Sequence, residues 1–142
     1  MRIDGACHCG RVSYQAEVDP ERVIICHCTD CQTISGSPYR VNVPVLIDRI
    51  RLKGEAKTYR KRGDSGEEVA TAFCPDCGSA LFSSKGETPA FLFLRLGAIR
   101  QRAELPPKAQ GFCRSALPWA MDIADVRRLP DLPGRPPTGA KD

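Results

Sequence analysis

Apolar and polar residues alternate in several stretches of the chain, and the alternation has the period of strands rather than helices. In "VSYQAEV", Val12, Tyr14, Ala16 and Val18 fall on one face and Ser13, Gln15 and Glu17 on the other, the pattern of a half-buried strand. "YRVNVPV" repeats it with Tyr39, Val41, Val43 and Val45, and Pro44 argues for an edge position. "RVIICH" predicts a strand that runs straight into a cysteine-rich stretch. "KTYRK" and "EEVATAF" flank "RGDSGE", whose glycines and Asp64 predict a hairpin turn. "FLFLRLG" at 91–97 is a continuous apolar run, as in a strand buried on both faces. Helical signal is thin. "TDCQTISG" predicts one or two turns with Thr29 or Asp30 as N-cap and Gly36 at the end, and "DIADVRRL" a second short piece. The expected fold class is mainly β, with few short helices.

At 142 residues the chain has the length of one domain. We place that domain at residues 1–129, followed by a flexible tail at 130–142, "PDLPGRPPTGAKD", with four prolines and two glycines. No run approaches the roughly 18 apolar residues of a membrane span, and "MRIDGACHCG" contains no apolar segment of the kind a signal peptide carries. The expectation is therefore a cytoplasmic protein without a membrane partner, in a compartment where thiols stay reduced.

That expectation decides how the eight cysteines are read. Seven fall into tight clusters: Cys7 and Cys9 in "CHC", Cys26, Cys28 and Cys31 in "CHCTDC", and Cys74 and Cys77 in "CPDC"; Cys113 stands apart. A disulfide within a CxC pair would be strained, and no βαβ pattern surrounds Cys74 and Cys77 to suggest thioredoxin-like chemistry. Zinc fits better. A CxxC turn aims backbone N–H groups at its sulfurs; Pro75 stiffens it and Gly78 gives the backbone its freedom after the second ligand. Two such pairs, Cys7/Cys9 and Cys74/Cys77, make a closed four-cysteine structural site that staples distant segments and contributes folding energy. Cys26, Cys28 and Cys31 are left over. Three ligands with an open fourth position is the layout of a catalytic zinc, and soft thiolate ligands suit an incoming thiol better than a hydrolytic water. The alternative is that His8, His27 or Cys113 closes this site and makes it structural too. Two zinc ions held by seven thiolates contribute about −3, which lowers the formal charge of +4 to about +1. The basic run "YRKRG" then reads as a solvated hairpin flank, and no nucleic-acid partner is expected.

The segments "GACHCGRVSYQA", "CHCTDCQTISGS", "FCPDCGSALF" and "LPWAMDI" resemble the glutathione-dependent formaldehyde-activating enzyme family, which includes centromere protein V-like proteins. The resemblance runs from about Gly5 to about Asp125. It implies a zinc-stapled, Mss4-like β domain with two Zn2+ per chain: a structural zinc on Cys7, Cys9, Cys74 and Cys77, and a catalytic one on Cys26, Cys28 and Cys31. It also implies a carbon–sulfur lyase activity like that of S-(hydroxymethyl)glutathione synthase, with a small-molecule thiol and a carbonyl as substrates. One departure from the pattern is Gln110 before "GFC", where a histidine is expected.

Several residues carry two readings. His27, between two ligands, is either a proton shuttle or an ordinary hydrogen-bonded histidine. Asp30 is a base or an N-cap, and Arg40 is a cation for an anionic substrate or a solvated strand residue. Cys113 is a spare ligand, a reactive thiol or a small apolar residue. Trp119, the only tryptophan, is a core residue near the second site or an exposed anchor for a partner. The last possibility belongs to a different function class, a zinc-binding interaction module without chemistry.

Overall fold

A computed structural model describes residues 1–131 and 134, so most of the expected tail lies outside the described residues. The chain forms ten strands in two sheets and one short α-helix, the mainly-β class expected. The small sheet has the order β1 (Arg2–Ala6), β2 (Ser13–Glu17), β5 (Ile50–Lys53). The large sheet has seven strands in the order β10 (Ala109–Gly111), β3 (Ile24–Cys26), β4 (Arg40–Leu46), β9 (Phe91–Arg95), β8 (Ala80–Lys85), β7 (Glu68–Phe73), β6 (Lys57–Arg62). All pairings are antiparallel except β10 with β3.

The alternation read along β2 holds: Val12, Tyr14, Ala16 and Val18 are buried, and Gln15 and Glu17 exposed. With Ile3 they form the small sheet's side of a single core, whose other side is Val43 and Val45 of β4 and Leu92 and Leu94 of β9. Val43 pairs with Leu94 and Val45 with Leu92, so one face of the large sheet is aliphatic. Tyr14 lies directly across from Gly5. A Cβ at Gly5 would stand 2.4 Å from Tyr14 Cζ and 2.5 Å from the Ala98 carbonyl oxygen, so only glycine allows this ring to close over β1.

Pro44 is not on an edge strand, since β4 lies between β3 and β9. Its tolerance has a local cause. β3 runs beside β4 only from Arg40 to Asn42, so Pro44 sits past the end of that neighbour and is flanked by β9 alone. The true edge at the far side is β6, exposed along its whole length. Its "KTYRKR" sequence is that of a solvated strand whose Lys and Arg discourage pairing with another chain.

Helix α1 (Thr29–Ser35) forms where expected and ends at Gly36 in the left-handed conformation, φ 62°. Its N-cap is Cys28, not Thr29 or Asp30: the Cys28 sulfur accepts from the Cys31 N–H. No helix forms over 122–129, where "DIADVRRL" suggested one. That segment is exposed throughout, so it has no core against which an amphipathic face could be buried. Among the described residues no helix is long and apolar enough to cross a membrane.

Candidate metal centres

Strand β1 delivers the first cysteine pair and the β7–β8 turn delivers the second. After Ala6 the chain curls back on itself through hydrogen bonds from Gly10 N to Cys7 O (3.0 Å) and Cys7 N to Val12 O (2.9 Å). The β7–β8 turn closes through Cys74 N to Ser79 O (3.0 Å) and Gly78 N to Cys74 O (2.9 Å), with Gly78 at φ +73° as the turn requires. The His8 N–H donates to Ser79 Oγ (2.9 Å) and docks one loop on the other. The four sulfurs of Cys7, Cys9, Cys74 and Cys77 all lie within 4.8 Å of one another. Cys7 to Cys9 is 3.6 Å and Cys9 to Cys74 is 3.7 Å. Tetrahedral zinc–sulfur bonds of about 2.3 Å require sulfurs about 3.8 Å apart, so this donor set fits a tetrahedral metal closely. All eight cysteines are free thiols. The Val12 N–H points at Cys7 Sγ (3.3 Å) and Ser79 Oγ lies 3.2 Å from Cys77 Sγ. Bonding to Ser79, through its hydroxyl and then its backbone, pulls the Cys77 thiol down to about 5.

The second cluster is built at the junction of β3 and α1. Cys26 ends the strand, Cys28 caps the helix and Cys31 lies buried in its first turn. Their three sulfurs again fall within 4.8 Å of one another. Hydrogen bonding from Cys31, aided by the Cys28 N–H and the charge of Arg40, pulls the Cys26 thiol down to about 5. Donating that proton, together with burial, pushes Cys31 well above the ordinary thiol range. A divalent metal held here would displace the thiol protons. Two sulfur clusters able to hold metal ions are therefore present among the described residues, and they are the two that the cysteine spacing separated.

No other ligand atom, from His8, His27, Cys113 or a carboxylate, joins the three sulfurs within that distance among the described residues. His27 is completely buried. Its Nε2 lies 2.7 Å from Gln110 Oε1; because an amide oxygen only accepts, Nε2 carries the proton. Its Nδ1 is buried without a partner, and Tyr39 meets the ring edge-on at 5.4 Å. Gln110 thus contacts the ring directly. It is placed there by β10, whose Gly111 pairs with Cys26. Gln32 of α1 donates to the His27 and Ser115 carbonyls (2.8 and 3.0 Å) and ties the following segment to the helix. Cys113 is exposed and its thiol donates to Gln110 O (3.7 Å). Asp30 is held by Lys61 at 2.7 and 2.8 Å on the surface. Trp119 is 61% exposed, so it is not a core residue; it sits in a single 3-10 turn, Pro118–Met121, none of whose residues is buried.

Cys26 and Arg40 were singled out in the sequence one by one; the group they form with Asn42 and Arg95 was not. Cys26 and Arg40 face each other across β3 and β4, and Asn42 and Arg95 across β4 and β9. Because Arg40 and Asn42 are two apart, all four share one face of the sheet. Arg95 is only 5% exposed, and it donates through Nη1 to Asn42 Oδ1 and to Phe93 O (3.2 Å). Burial, and then the like charge of Arg40, pull Arg95 down to about 9, which leaves it charged at neutral pH. The hint for Arg95 was a cation inside an otherwise apolar strand, "FLFLRL".

The profile of the glutathione-dependent formaldehyde-activating enzyme family matches residues 2–115, both cysteine clusters included. The chain belongs to that family. A similar protein from Halomonas elongata, named "Putative glutathione-dependent formaldehyde-activating enzyme", is 28% identical over 116 residues, 76% of this chain and 72% of its own length. A crystal structure of a Rhodobacter sphaeroides protein superposes with a TM-score of 0.60 at 18% identity, covering 75% of this chain and 98% of that one. At that identity the likeness speaks for the fold alone.

Proposed function

We propose that this family member is a zinc-dependent carbon–sulfur lyase-type enzyme that adds a thiol such as glutathione to formaldehyde or a related small carbonyl. The observation that carries the reading is the asymmetry of the two clusters: four sulfurs in one, three in the other, with no further protein ligand beside the three among the described residues. In this reading Cys7, Cys9, Cys74 and Cys77 hold a structural zinc, and Cys26, Cys28 and Cys31 hold the catalytic one. When bound there, zinc supplies a Lewis acid that keeps a substrate thiol ionised at neutral pH.

The chain's own residues do the rest. Cys26, Cys28 and Cys31 would hold the ion through three sulfurs and leave it open to a substrate sulfur. The Cys31 N–H, aimed at Cys28 Sγ (3.3 Å), spreads the sulfur's negative charge into the backbone. Gln32 fixes the segment carrying Ser115 beside the helix that bears Cys31. In the reaction the thiol sulfur bonds to the carbonyl carbon. The C=O π pair moves to oxygen, and that oxygen ends with the proton the thiol gave up, as a hydroxyl. The clustered free thiols suit a reducing compartment, and we assign the protein to the cytoplasm.

A binding module without chemistry is favoured by one observation only. Phe112, Trp119, Met121, Ile123 and Val126 are all exposed along the C-terminal segment. Formaldehyde consumption with glutathione separates the two readings. The enzyme reading predicts consumption by the zinc-loaded wild type and none by Cys28→Ser that has kept its fold and one zinc. A wild type holding two zinc ions and accelerating no thiol–carbonyl addition would leave the binding module.

A further inference from the structure

Arg95, buried, and Arg40, half-buried, stand out as charge that no acidic side chain balances. Nε and Nη1 of Arg40, and Nε and Nη2 of Arg95, are shut off from solvent without a hydrogen-bond partner. Among the described residues neither arginine pairs with a carboxylate; all the ion pairs there involve other cations. Leaving a buried guanidinium unpaired is costly, so the compensating negative charge must come from the site it faces. Arg40 pairs with Cys26 across β3 and β4, and Arg95 lies on the same face of the sheet, across from Asn42.

Formal charge then decides what the site accepts. Three thiolates and a divalent ion sum to about −1, and two guanidiniums raise this to about +1. One more thiolate brings the assembly to about zero, whereas a neutral ligand leaves the positive excess buried. Among the described residues the four-cysteine cluster has no buried arginine beside it, and its Cys9 is exposed, where water can screen it.

We propose that Arg40 and Arg95 form a charge-setting pair that makes the three-cysteine site select an anionic sulfur, a thiolate, as its fourth ligand. The proposal rests on the functional reading above. The pair acts through its field: the unpartnered nitrogens are closed to solvent and Arg95 is only 5% exposed. The arginines are positioning residues: they set where charge is tolerated and do not touch the reacting atoms.

Cobalt(II)-loaded protein provides the test, read by the thiolate-to-cobalt charge-transfer band that grows when an added thiol binds. Two thiols are compared, 2-mercaptoethanol, whose tail is uncharged, and glutathione. We expect Arg40→Met and Arg95→Met each to bind two cobalt ions but to weaken both thiols by the same factor, about tenfold or more. Arg40→Lys, which keeps the charge on the half-exposed side of the pair, should recover most of the affinity. Weakening of glutathione alone would mean carboxylate recognition and overturn the proposal. So would unchanged binding of both thiols, or loss of the second cobalt from the methionine variants before any thiol is added. A wild type that holds two cobalt ions and binds neither thiol overturns the functional reading and the pair together. A wild type that binds thiols as well as the variants do overturns the pair alone.

Discussion

Replacing Cys74 with serine removes one sulfur from the four-cysteine cluster while leaving the backbone turn intact, and its cost can be worked from the chain's topology. Cys74 is completely buried and lies 3.7 Å from Cys9, 65 residues away in sequence. A metal joining them acts as a cross-link, and closing a loop of that length restricts the unfolded chain by about 4 kcal/mol on the entropy relation used for disulfides. A domain of this size is stable by only about 5–15 kcal/mol in all. The docking of "CHCG" onto the β7–β8 turn also depends on the cluster, since His8 N and Ser79 Oγ meet there. Cys74→Ser should therefore lose the metal of that cluster and with it cooperative unfolding: near-UV circular dichroism is lost while far-UV signal is largely kept. Urea denaturation with metal counting is the assay, and Cys113→Ser, an exposed thiol outside both clusters, is the control expected to behave as wild type. A soluble Cys74→Ser protein that lacks this metal yet unfolds cooperatively at the wild-type urea midpoint would refute the reasoning.

Gly5→Ala should destabilise the fold by about 1–3 kcal/mol in urea denaturation, because its Cβ would meet Tyr14 Cζ at 2.4 Å and backbone at Ala98; an unchanged midpoint would mean that β1 and the Tyr14 ring move apart freely. Gln110→Ala should cost about 1–3 kcal/mol by stranding the buried His27 N–H, and Gln110→Glu, which keeps an acceptor oxygen, should recover part of it in the same assay. Zinc affinity of the three-cysteine site should fall with pH, because the Cys31 proton must leave for the metal to bind. It should fall more steeply below about 5, where Cys26, depressed to about 5, also takes up a proton. Affinity flat between pH 7 and 4, followed with a chromogenic zinc indicator, would contradict this. Truncation after Leu129 should leave Tm nearly unchanged, since that segment's composition has little apolar surface to bury; a large drop would extend the domain past Leu129.

Much of this architecture could be read from the sequence because it is written locally. The alternation over 12–18, the "RGDSGE" hairpin between β6 and β7, and the left-handed cap at Gly36 each depend on residues within a few positions of one another. The cysteine clusters were legible for the same reason: ligand spacing is a local constraint with a chemical meaning. What was missed depends on partners distant in the chain. Strand β10 is three residues long and exists because Gly111 meets Cys26 in parallel; three residues carry no periodicity. Arg40, Asn42 and Arg95 come together through the register of β3, β4 and β9, which the hydrophobic pattern does not specify. Cys28 as N-cap was overlooked because a thiol is a weak acceptor and Thr29 and Asp30 are stronger candidates on propensity alone. The exposure of Trp119 runs against the usual burial of a lone tryptophan; it sits in a single 3-10 turn none of whose residues is buried.

The central claim is that one cluster is closed and structural while the other keeps a place for substrate. Graded chelation of the zinc-loaded protein, with zinc release and circular dichroism followed together, tests it most directly. The account predicts two steps. One equivalent leaves first, with the fold intact, and added glutathione hastens that step; the second leaves only as the protein unfolds, and Cys28→Ser shows the second step alone. Two equivalents released together with loss of structure, in wild type and with Cys28→Ser unfolded from the start, would contradict it.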